Sequence, residues 1–154
     1  MPYSGAMTLS DDTRTVRENS FGWMIQRIAG DVDRQMTERL AELDMPLPAF
    51  AVMMCVLERG PMMQTDIGKQ FGIPAYAISR ALDVLERLGY IARRRHTASR
   101  RAHSIEVTEA GRAIAPRLHA IVNESNTDYT ASLSDDERQV LCGLLTRLLP
   151  DTGS

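Results

Sequence analysis

Apolar residues step along the chain at intervals of three and four from Phe21 through Met24, Ile25, Ile28, Val32, Met36, Leu40 and Leu43. They form one stripe on a helix of some 23 residues. The mean helix is about 11–12 residues long, so a stripe of this length suits packing against a partner chain as well as against its own domain. Met45-Pro46-Leu47-Pro48 breaks the pattern, and Pro48 is suited to open a helix because its missing N–H costs nothing there. That helix runs to about Glu58 through Phe50, Met53, Met54 and Leu57, and Arg59-Gly60-Pro61 ends it. Met62 to Phe71 reads as a short helix, Gly72-Ile73-Pro74 as a tight connection, and Pro74 as the opening of a helix that turns Ile78, Leu82, Leu85 and Leu88 inward before Gly89.

The pattern then changes. Tyr90–Arg93 and His103–Val107 are short and β-like, and the polar tip Arg94 to Arg101 joins them into a hairpin without the Asn-Gly or Asp-Gly of a tight turn. Thr108 caps a helix through Ile114, Leu118, Ile121, Val122 and Tyr129, in which Pro116 predicts a kink near Arg112 to Ala115. Ser134-Asp135-Asp136-Glu137 is a capping box opening a last helix with Val140, Leu141, Leu144, Leu145 and Leu148. Residues 1–19 are polar and aperiodic and read as a flexible arm; residues 151–154 read as a frayed tail. The expected fold is mainly α with a small β-hairpin: four helices, the hairpin, two more helices.

Composition adds limits. A chain of 154 residues can bury one real core, and with 5% aromatics and nine methionines that core must be aliphatic and Met-rich. No stretch reaches the roughly 18 consecutive apolar residues of a membrane span, and the first 19 residues lack a secretory pattern. Two cysteines make no disulfide framework, so a cytoplasmic setting is expected. Both Cys55 and Cys142 have apolar neighbours and are expected in the core.

Charge changes the picture most. The net charge is −2, yet Arg93, Arg94, Arg95, Arg100 and Arg101 put five positive charges into nine residues, leaving about −7 for the rest. The plain reading is a solvated basic loop. A short helix, a Gly-containing turn and an amphipathic second helix just before it suggest more, because that is a helix-turn-helix arrangement. Ile67, Phe71, Ile78 and Leu82 would hold the pair at a steep angle. Ala75, Tyr76, Ser79, Arg80 and Asp83 would then face outward, small and hydrogen-bonding residues with one arginine, suited to the major groove. A short strand brings the arginine tip alongside, where it can reach the minor groove or the backbone.

Met63-Gln64-Thr65-Asp66-Ile67-Gly68, Ile78 to Ile91, Arg100-Arg101 and Val107-Thr108-Glu109-Ala110-Gly111 together resemble the MarR family of bacterial transcriptional regulators. The resemblance runs from about residue 20 to 149, and its most specific piece is the wing pattern Asp-x-Arg, five residues, then Leu-Thr, here Ser99-Arg100-Arg101 and Val107-Thr108. Ser99 replaces the acid that braces the wing arginine in the family, and a neutral hydrogen bond is a weaker brace for Arg101. Pro74 stands where the family often has a Ser cap. The resemblance implies a homodimer with interleaved terminal helices, two recognition helices on a near-palindromic site, and modulation by small molecules or oxidants from a pocket between the dimer helices and the DNA-binding lobe.

The expected organisation is an arm at 1–19, a helical dimerisation region at 20–46 and 109–150, and a winged helix-turn-helix at 47–108. The expected function is a sequence-specific regulator of double-stranded DNA, acting as a repressor and a homodimer. The alternative is a winged-helix assembly module without a DNA target. The candidate DNA-contacting residues are Thr65, Ala75, Tyr76, Ser79, Arg80, Arg93, Arg94, Arg95, His96, Arg100 and Arg101. No cofactor is implied beyond an effector of unknown identity, and no membrane partner. His96, His103 and His119 lack the spacing of a metal site, so His96 and His103 are assigned to the wing. No elbow motif or Gly-rich phosphate loop supports catalysis. The cluster Met45, Met53, Met54, Met62 and Met63 is read as core before pocket lining, and Trp23 is open between dimer contact and pocket wall.

Overall fold

Thr8 and Asp11 cap each other: the Asp11 amide donates to the Thr8 hydroxyl at 3.2 Å and the Thr8 amide to the Asp11 carboxylate at 3.3 Å. This capping box opens α1 (Leu9–Glu18), where the sequence pattern predicts a flexible arm. The helix buries none of its residues against its own chain, so no periodic apolar stripe announced it. The computed structural model describes residues 8–95 and 102–150, with the side chains of residues 70 and 71 outside the description. The arm expected at residues 1–7 lies outside the described residues.

Ser20 accepts from the Trp23 amide and opens α2 (Phe21–Leu40), which a 3₁₀ turn (Ala41–Leu43) extends to the predicted end. The stripe divides along its length. Met36 and Leu40 are buried and Val32 and Leu43 pack against the core, while Phe21, Met24 and Ile28 stay exposed. Asp44, in the left-handed region at φ 51°, turns the chain into α3 (Leu47–Arg59), which starts one residue before Pro48 and ends at Gly60 with φ 75°.

Met62–Met63 form a short strand, β1, where a helix is expected; they pair with Ile105 and Ser104. Two residues are too few for an alternation to register in sequence. α4 (Gln64–Phe71) and α5 (Ala75–Arg87) follow, separated by a turn at Gly72 (φ 61°). β2 (Ile91–Arg95) and β3 (His103–Val107) pair antiparallel, with Ile91 opposite Val107 and Arg95 opposite His103. The sheet order is β1-β3-β2. α6 (Glu109–Tyr129) runs through Pro116 as one helix, and the Ser134 capping box opens α7 (Asp135–Leu148).

The core is aliphatic. Leu40, Met53, Ile67, Ile78, Leu82, Leu85, Ile105, Leu118 and Ile121 are fully buried and join α2–α6 and the sheet. Met45 and Met53 belong to it and Met54 and Met62 pack on its edge, as the core reading of the methionines expects.

Thr108 fastens sheet to helix. Its hydroxyl donates to the Gly89 carbonyl at 2.6 Å and accepts from the Gly111 amide at 3.1 Å, and its own amide donates to the Tyr90 carbonyl at 3.0 Å. A Cβ on Gly111 would lie 2.1 Å from that Tyr90 oxygen, so only glycine permits this approach. Ion pairs tie α2 and its 3₁₀ turn to α6: Arg39 with Glu124 and Asp128, and Arg117 with Glu42 (3.2 Å), while Arg117 also pairs with Glu124 within α6 (3.1 Å).

α7 packs little against its own chain. None of its residues is buried, and Val140, Leu141, Leu144 and Leu148 are exposed, as are Leu9, Val16 and Phe21 on α1 and α2. Cys142 is consequently exposed, contrary to the core placement its neighbours suggest; those neighbours are themselves uncovered. Among the described residues no single helix is long and apolar enough to cross a membrane. α2 with its 3₁₀ turn and α3 reach that threshold only as a pair bent by 80°, and most of α3 faces the core.

Candidate nucleic-acid interface

Ile78, Ala81, Leu82 and Leu85 anchor one face of α5 in the core. The opposite face stands clear. Ala75, Tyr76, Arg80 and Asp83 are exposed and Ser79 is half-buried. Tyr76 is 68% exposed, and the Arg80 guanidinium lies over its ring at 5.9 Å from the centroid. Cation–π contact of this kind limits the freedom of a long side chain and leaves its donors available. Pro74 caps α5 without a side-chain bond, and no acid stands in its first turn. Thr65 is exposed near the start of α4.

The basic cluster is less uniform than its composition suggests. Side chains alternate across a strand, and Ile91 is buried, so Arg93 points to the same side as Ile91, toward the helices. Its side chain is 17% exposed. Nη1 donates to Asp83 at 2.6 Å and lies 3.7 Å from Glu86, and Nη2 donates to the Ser79 carbonyl at 3.0 Å. Arg93 is therefore engaged by the helix beside it, and strand parity gives the reason. Arg94 is exposed on the other face, paired at 2.6 Å with Glu106, its diagonal neighbour across the strands. Arg95 is exposed. His96, Ser99, Arg100 and Arg101 lie outside the described residues.

Two hollows flank α5. One of about 600 Å³ lies between α4, the start of α5 and β3, lined by residues including Gln64, Thr65, Lys69, Ile73 and His103. The other, about 260 Å³, lies between the start of α3 and the outer face of α5, with Pro46, Pro48, Tyr76 and Arg80 on its walls. Met63 lines the first hollow. Trp23 is held between Arg17 and Arg27, 5.1 and 5.3 Å from its centroid.

Cys55 is buried on the inner face of α3, its sulfur 3.7 Å from that of Met62, and burial raises its thiol pKa above the ordinary value, against a smaller lowering by Arg59. Such a thiol resists forming the thiolate a sensor needs. Among the described residues no cluster of three His, Cys, Asp or Glu is placed to hold a metal ion.

This arrangement of helices and sheet matches known proteins. The model of the MarR family matches residues 43–102, which span α3, β1, the helix pair and β2. Apo wild-type MarR from E. coli superposes with a TM-score of 0.76 at 26% identity, over 85% of this chain and 97% of that one. Over residues 43–102 the chain is similar to the MarR family.

A mutant of E. coli MarR complexed with operator DNA superposes at a TM-score of 0.74 and 24% identity, over 93% of this chain and 99% of that one, which is a likeness of fold. In sequence, the HTH-type transcriptional repressor Rv2887 of Mycobacterium tuberculosis is 23% identical over 145 residues, 94% of this chain and the whole of that protein. The fold is the mainly helical winged helix with a three-stranded sheet that MarR structures share. Sequence reasoning did not foresee that the Arg93 side chain is engaged by α5. The signal was available: the alternation of Ile91 and Arg93, and the acids Asp83 and Glu86 on the preceding helix.

Proposed function

We propose that this protein is a MarR-family transcriptional repressor that binds near-palindromic double-stranded DNA as a homodimer. The observation that carries the reading is the outer face of α5: Ala75, Tyr76 and Arg80 are exposed on a helix whose other face is locked in the core. A helix held so firmly can present side chains to base edges in the major groove. The uncapped, acid-free start of α5 suits a DNA phosphate, since free amides and the helix dipole favour an anion there. Arg94 and Arg95 on β2 supply positive charge beside the helix, and in this reading His96, Arg100 and Arg101, which follow in the sequence, and Thr65 at the head of α4 are further contacts. The operator complex of the E. coli MarR mutant and the repressor name of the mycobacterial relative support it.

The second copy is argued from the apolar residues left exposed on α1, α2 and α7. A helix with Val140, Leu141, Leu144 and Leu148 uncovered needs a partner surface. Two-fold pairing would set the two α5 helices on half-sites about one DNA turn apart, roughly 34–36 Å. A small effector seated in either hollow beside α5 would compete with DNA for the same helix. Gel shifts with the DNA upstream of the chain's own gene, at two salt concentrations, test the reading. Tight binding that weakens steeply with salt is expected. Absence of any shift at low salt contradicts it and leaves the assembly-module alternative.

A further inference from the structure

Ser79, Asp83 and Glu86 lie at helical spacings of four and three, so they line one side of α5, and that side faces β2. Arg93 meets all three. Its two terminal nitrogens hold the Asp83 carboxylate and the Ser79 carbonyl, and Glu86 adds a second carboxylate at 3.7 Å. The Arg93 backbone amide also donates to Glu86, at 3.3 Å. The remaining guanidinium nitrogen, Nε, is buried, and both terminal nitrogens are engaged by α5.

We infer that Arg93 is a positioning residue for DNA recognition: it clamps the wing to the recognition helix and neutralises Asp83 and Glu86, and it does not contact the phosphate backbone. The inference rests on the proposed DNA-binding function. Arg93 stands between the two surfaces that function uses, with Arg80 one residue after the carbonyl it holds and Arg94 and Arg95 next along the strand. Fixing the angle between helix and wing fixes which base edges and which phosphates are met together. A fork-shaped guanidinium suits three acceptors on one helix side, and a lysine could not span them.

The signs of two substitutions separate clamp from contact. Asp83 is an exposed acid on the DNA-facing helix, so Asp83→Asn should strengthen DNA binding if charge alone mattered. Loss of the clamp should instead lower selectivity. A duplex selected by the wild-type protein from random sequences is titrated against a scrambled duplex of equal length, across a range of salt, with Asp83→Asn, Arg93→Gln and the double variant. Asp83→Asn is expected to reduce the preference for the selected duplex by roughly twofold to tenfold, the range of couplings within one shared network. Arg93→Gln is expected to lose preference too, with the slope of log affinity against log salt unchanged, and the double variant to be no worse than Arg93→Gln alone. A phosphate contact gives the opposite result: a slope shallower by about 0.9 in Arg93→Gln and effects that add in the double variant. That outcome overturns the inference, as does Asp83→Asn binding both duplexes more tightly with preference intact. Asp83→Asn gives the answer by itself if Arg93→Gln does not fold. Failure of the wild-type chain to select any duplex is a different result, and it removes the DNA-binding reading on which the clamp depends.

Discussion

Gly111 and Arg80 are single positions where the geometry leaves little choice. A Cβ at Gly111 would strike the Tyr90 carbonyl and come within 2.8 Å of Val107, both part of the junction that Thr108 fastens. Gly111→Ala is therefore expected to cost about 1–3 kcal/mol, the usual cost of overpacking, despite the better helix propensity of alanine. Urea unfolding checks it; an unchanged or raised midpoint would mean that the junction relaxes freely. Arg80→Ala is expected to relax base preference at one position per half-site by ~1–3 kcal/mol, read by comparing operator variants. The two cysteines differ in kind. Burial holds the Cys55 thiol protonated and Cys142 is exposed, so a maleimide should label Cys142 first at neutral pH, with mass spectrometry locating the adduct. Because the folded pKa of Cys55 is raised above the ordinary value of 9.0, its contribution to stability is complete below that value and falls as pH rises through the folded pKa. Sequence neighbours misjudged Cys142 because adjacency along a helix says nothing about which face is covered.

Elements were legible where they carry a long period or a strong cap. The α2 stripe, the inward spacing on α5, and the caps at Thr108 and Ser134 are each repeated or chemically specific signals, and each matches the observed element. α1 was hidden because its box uses Asp11 in place of the usual Glu or Gln, and because no stripe follows it. β1 was hidden because Met62–Met63 becomes a strand only through β3, a pairing some forty residues away in sequence. Thr8→Ala is expected to unwind α1 at a local cost of about 0.5–2 kcal/mol. Faster amide exchange over residues 9–18, with the core amides unaffected, would be the observation; unchanged exchange would show that tertiary contacts hold α1.

On the scale of the whole molecule, the division of charge and apolar surface sets the account. Five arginines in nine residues suggested a broad positive tip, yet Arg93 is neutralised by Asp83 and Glu86, and Arg94 is paired with Glu106. Sequence gives the number of charges, and only the fold gives their partners. The apolar surface follows the same rule. α7 carries apolar residues at helical spacing, and they face out, as in a helix kept for a second copy. Leu144→Asp combined with Leu148→Asp is expected to turn a dimer into a monomer, with sedimentation velocity as the readout. A wild-type chain that sediments as a monomer at micromolar concentration would contradict the dimer.

The central claim, that the outer face of α5 beside the wing reads double-stranded DNA, is tested most directly by selection from random-sequence duplexes with the wild-type protein at low salt, followed by sequencing. A near-palindromic consensus with half-sites one helical turn apart, bound with an affinity that falls steeply as salt rises, is the result expected. No enrichment over unselected DNA would contradict it.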